Sequence, residues 1–181
     1  MASTLAYASA SDVTVVSPSR RVAVTSALLA SACVLGLLEA ALPGLPGLPW
    51  LRLGLANIAV VVALAALGMR AATIVSLGRV AIVGLATGTL LGPASLMAGA
   101  GALASLAVMG VLARYATGTS PVGWSAAGSA AHVIAQFTVA AGLLGSGVVL
   151  SLAPPSVLLA LVLGALVGYL ALIAVSRLRM G

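Results

Sequence analysis

In this chain of 181 residues, 62% are hydrophobic and 6% charged, and the mean hydropathy is +1.29. So little polar surface excludes an ordinary soluble domain. The net charge of +6 and pI of 11.2 arise from eight arginines set against Asp12 and Glu39. Because those arginines stand singly or as the pair Arg20-Arg21 between apolar runs, no basic patch for nucleic acid can form.

Residues 1–19 are small and polar and read as a disordered cytoplasmic tail, leaving 20–181 as a single transmembrane domain. The pair Arg20-Arg21 before an apolar run that reaches Cys33 has the look of an export signal. The run continues past Cys33 as VLGLLEAAL, however, so it is expected to stay as the first transmembrane helix, 22–42. A lone cysteine excludes an internal disulfide. The linker PGLPGLPWLR, 43–52, breaks helix with its prolines and places Trp50 where an aromatic suits a membrane interface. Further helices are expected at 53–69, 71–91, 94–113, 122–144 and 155–175, each set off by Gly, Pro or Arg punctuation. The fold class is therefore all-α, a polytopic membrane protein of six transmembrane helices.

Six helices put both termini on one side. Arg20, Arg21, Arg70, Arg114, Arg177 and Arg179 then share that side, and Arg52 lies opposite. The positive-inside rule makes the arginine side cytoplasmic, in a bacterial cell membrane. Small-residue ridges occur as Ala23-Ala27-Ser31, Gly84-Gly88-Gly92 and Ala160-Gly164-Gly168, spacings that let helix backbones approach closely.

Polar groups inside the spans are few. Arg79 lies nine residues past Arg70, about 13 Å along a helix axis, too deep to reach either surface easily. His132 and Gln136 share one face of the fifth helix. Glu39 stands near the end of the first helix, and Asn57 in the first turns of the second. Together with Arg52 these residues describe a solute pocket open to the exterior: Glu39, Arg52, Asn57, Arg79, His132 and Gln136. An internal ion pair of Glu39 with Arg79 or Arg52 is the competing reading. No catalytic constellation, P-loop or metal-ligand cluster is present, so neither an enzyme nor a cofactor is expected.

The stretches Glu39 through the proline-rich linker, LRLGLANI (51–58), SLGRV (76–80) and AHVIAQ (131–136) resemble the Gx transporter family, also labelled heptaprenyl diphosphate synthase component I. The likeness covers about 35–180. Arg52 stands where that family usually has Lys, Val133 where it has Asn, and Ala135 where it has Gly. The family is similar in size and topology to the substrate-binding S components of energy-coupling factor transporters. The resemblance implies an S-component-like bundle that captures a small solute, which Arg52 and Arg79 would favour as an anion. It also implies docking, through the Ala23-Ala27-Ser31 ridge, onto a transmembrane coupling subunit with ATPase subunits. The synthase label implies the alternative, a non-catalytic membrane partner in isoprenoid or quinone metabolism. Chain elongation itself needs paired aspartates to hold Mg²⁺ on a diphosphate, and this chain has one Asp, in its tail.

Overall fold

Glycines with left-handed backbone decide where the second helix of this protein begins and ends. Gly54 has φ +71° and Gly68 φ +87°, conformations that side-chain-bearing residues avoid. Between them lies α2, Ala56–Leu67, of 12 residues. The structure, a computed structural model, describes residues 17–41, 54–116 and 118–180. The other helices are α1 (Pro18–Ala41), α3 (Met69–Ala86), α4 (Pro93–Tyr115), α5 (Pro121–Leu144) and α6 (Ala153–Met180). A 3-10 turn at Gly147–Leu152 leads into α6, and no strand occurs among the described residues.

One expectation is met in part and another needs correction. Among the described residues five helices are long and apolar enough to cross a membrane, and α2 is apolar but shorter. At about 1.5 Å per residue α2 spans about 18 Å, well short of a hydrocarbon core. The third helix ends at Ala86 instead of 91: Gly88 is left-handed at φ +69° and Gly92 precedes α4. The Gly84-Gly88-Gly92 spacing is therefore a turn, not a ridge. The remaining helices start and stop within a few residues of expectation, with Pro93 and Pro121 in the first turns of α4 and α5, where a missing N–H does no harm. The linker 43–52, with Trp50 and Arg52, and the tail residues 1–16 lie outside the described residues.

The short helix is the centre of the molecule. Residues 59–64 of α2 are all buried, and α1, α3, α5 and α6 pack around it. They join Ala71, Val75, Leu106, Met109, Trp124, Ala171 and Val175 in one apolar core. This core fills the end where α1 and α3 begin and α6 finishes. Arg20, Arg21, Arg70, Arg114 and Arg177 stand at that same end, as the antiparallel helix order requires.

The outward faces are apolar as well. Val22, Ile74, Leu85, Leu103, Val162 and Leu166 are all exposed. Soluble proteins do not tolerate a girdle of that kind, whereas lipid does. The interior by contrast is built on close approach at small residues. A Cβ on Gly164 would come within 2.8 Å of the Ser125 carbonyl, and one on Gly168 within 2.6 Å of Val122 Cα. The Ala160-Gly164-Gly168 ridge thus packs internally, against α5. Ala23, Ala27 and Ser31 are exposed on α1.

Candidate functional site

Away from the arginine end the bundle is hollow. Residues from all six helices enclose a cavity of about 540 Å³, within the usual range for sites that hold one small molecule. Its lining on α3 runs from Arg79 to Thr87, eight residues or about 12 Å of depth. On α4 the lining is confined to positions 94–98 at the helix start, and on α1 to 36–40 near its end. Arg79 and Ser129 therefore mark the inner limit, and Glu39, Gly54, Thr89 and Ser95 the rim.

Glu39, Asn57, Arg79, His132 and Gln136 all line this one space, although they come from four helices. Arg52 lies outside the described residues. Glu39 is 8% exposed. Its carboxylate accepts the N–H of Leu55, just before α2. No side chain of α2 caps that end, so a carboxylate from the neighbouring helix satisfies one of its open donors and meets the positive pole of its dipole. At the other pole the Arg21 guanidinium donates to the Leu67 carbonyl. Glu39 therefore has a structural partner besides its place on the wall.

The aliphatic stem of Arg79 passes beside Gly36 of α1. A Cβ there would make ordinary contact with Arg79 Cγ and Cδ at 3.8 Å and a tighter one with Val83 Cγ2 at 3.2 Å. His132 depends on α4 in a sharper way. A Cβ on Gly101 would stand 2.7 Å from Cε1 and Nε2 of the imidazole, a distance that real contacts do not reach. The ring thus rests on bare backbone, with its buried Nδ1 lacking a hydrogen-bond partner.

Sequence reasoning missed the hydroxyl groups. Thr87 and Thr89 share a hydrogen bond of 2.9 Å between their hydroxyls, and Ser95 donates to the Thr89 carbonyl at 2.7 Å. All three line the rim, and Ser129 lines the inner part. The signal was present in the turn TGT at 87–89, but a long third helix absorbed it. Gly101 gave no signal, because its role depends on which helix α5 packs against.

The arrangement defines a multi-pass membrane protein whose helices enclose a chamber with polar groups set in an otherwise apolar wall. No group of three or more potential metal-ligating side chains occurs among the described residues. Residues 28–173 match the sequence model of the family described as heptaprenyl diphosphate synthase component I, and the chain belongs to that family. No curated protein and no solved structure matches it.

Proposed function

We infer that the protein is a non-catalytic, S-component-like transport protein of the bacterial cell membrane that binds a small solute from outside. The observation that carries this reading is the cavity. A dedicated space of about 540 Å³ brings together Asn57, Arg79, His132 and Gln136, nearly all the polar side chains expected within the spans. Polar groups inside a membrane protein persist where they serve a path or a ligand, because each is expensive there. With both termini cytoplasmic, the hollow half lies toward the exterior. A separate coupling subunit with its ATPase subunits would supply energy and dock on the exposed Ala23-Ala27-Ser31 face of α1.

Extraction of the full chain from its own membranes, followed by mass spectrometry of released small molecules, tests this. A single solute is expected in the wild type. It should be lost in Ala98→Phe, whose ring would fill the chamber. Equal solute content in the two proteins would contradict the reading.

The family description favours a second reading, a membrane partner in heptaprenyl diphosphate synthesis. It predicts that a soluble synthase subunit is retained on the purified protein and that filling the chamber changes nothing.

A further inference from the structure

Independently of the solute reading, we propose that the protein binds an anionic phospholipid at the arginine end of the bundle, its phosphate held between Arg70 of α3 and Arg114 of α4. The whole sequence contains two side-chain carboxylates, Asp12 and Glu39. Glu39 lies at the opposite end, where it holds the Leu55 N–H. The five described arginines of this end, Arg20, Arg21, Arg70, Arg114 and Arg177, can therefore meet one side-chain acid at most, Asp12. Most of this positive charge is left for something outside the protein to answer. Arg21 is turned onto the Leu67 carbonyl and contributes through its field. Arg20, Arg70, Arg114 and Arg177 are exposed.

Two of them stand at the foot of apolar stripes on neighbouring helices. Arg70 is four residues from exposed Ile74, and exposed Leu85 continues that face of α3. Arg114 is three residues from exposed Val111, with Leu103 further along that face of α4. At this end the two helices touch: a Cβ on Gly110 would stand 3.1 Å from both the sulfur and Cε of Met69. Arg70 follows Met69 directly, and Arg114 lies one turn beyond Gly110, so the two arginines bracket one interhelical contact. The Arg114 guanidinium also lies 5.6 Å from the centroid of the Tyr115 ring, which restrains it at the membrane surface.

A free anion would answer the charge but leave the apolar stripes bare. A phospholipid answers both. Its phosphate accepts the paired N–H donors of a guanidinium, and its acyl chains cover Ile74, Leu103 and Val111. Basic sites between helices on the cytoplasmic side select anionic head groups in this way. A zwitterionic head carries its own cation beside the phosphate and gains less from the arginines.

Thermal unfolding of the full chain in detergent tests this, with added phosphatidylglycerol, phosphatidylcholine of the same acyl chains, or millimolar inorganic phosphate. Phosphatidylglycerol alone is expected to raise the melting temperature. The concentration giving half that rise should increase about fivefold in Arg70→Gln and in Arg114→Gln, the usual share of one arginine near an anionic surface. It should stay at the wild-type value in Arg177→Gln, since α6 packs on α5 and α2, away from the pair. Should a variant fail to fold, native mass spectrometry of the purified wild type still decides, with one retained anionic phospholipid per protein expected and none contradicting the proposal. Equal stabilisation by phosphatidylcholine would make the surface an unselective lipid girdle, and equal stabilisation by inorganic phosphate an anion site without acyl chains. An Arg177→Gln effect as large as that of Arg70→Gln would mean a diffuse field. No stabilisation by any of the three would leave the arginines to an acidic protein partner. Each of these outcomes overturns the proposal and leaves the solute reading untouched.

Discussion

The carboxylate of Glu39 on α1 accepts the N–H of Leu55 at the mouth of α2. The same α1 supplies Arg21 to the Leu67 carbonyl at the far end, so one helix clamps both poles of its short neighbour. Because α2 is apolar and has no capping side chain of its own at its start, these contacts satisfy groups that would otherwise face a dry interior. Glu39→Ala should therefore destabilise the protein by about 1–3 kcal/mol, the usual penalty for a buried donor left without a partner. Glu39→Gln keeps an acceptor oxygen and should cost about 1 kcal/mol or less. Denaturant unfolding in mixed micelles measures both. Equal, negligible effects would remove the clamp from the account.

The seat of His132 gives a second test. Gly101→Ala would place a methyl 2.7 Å from the imidazole. The ring must move, at about 1–3 kcal/mol for an overpacked site. His132→Ala removes the obstacle. In the double variant the Gly101→Ala penalty should shrink by more than about 0.5 kcal/mol, the coupling expected for groups in contact. Strict additivity would place the ring elsewhere.

Much of this was legible in the sequence, for a simple reason. Apolar runs of about 20 residues, ended by Gly, Pro or Arg, mark helices wherever lipid rather than a folded partner sets their length. α1, α4, α5 and α6 obey that rule. α2 does not, because protein surrounds it on all sides and its length is set by Gly54 and Gly68 and by the clamp from α1. The convergence of Glu39, Asn57, Arg79, His132 and Gln136 was readable because polar side chains in apolar spans must turn inward. What stayed hidden depends on pairing between helices. The α5–α6 packing of Gly164 and Gly168, the seat on Gly101 and the second role of Glu39 follow from neighbours that spacing along one helix cannot name.

Topology provides a third prediction. Ser120 lies at the arginine end of the bundle and Gly147 at the opposite end, both exposed. In a Cys33→Ser background, Gly147→Cys should react with an impermeant maleimide on intact cells, and Ser120→Cys only after the membrane is opened. Labelling of Ser120→Cys from outside would reverse the orientation inferred from the arginines.

The two small-residue ridges should respond differently. A side chain at Gly168 meets the Pro121 carbonyl at 2.8 Å and Val122 Cα at 2.6 Å, backbone atoms that cannot swing aside. Gly168→Leu should therefore lower stability by about 3 kcal/mol or prevent folding. Ala27 is exposed on α1, so Ala27→Leu should change stability by less than about 0.5 kcal/mol. If the α1 face docks a coupling subunit, that same change should remove the subunit from the purified complex. A large stability loss in Ala27→Leu would mean that the face packs within the bundle.

The chamber as a solute site is the central claim, and Arg79 is where it is most exposed to test. The decisive measurement is the amount of solute retained per protein by wild type and by Arg79→Met, each extracted from the same membranes and shown to be folded by its elution profile and helical spectrum. The account predicts a stoichiometric solute in the wild type and none in Arg79→Met. Retention of the same solute at the same stoichiometry by Arg79→Met would contradict it.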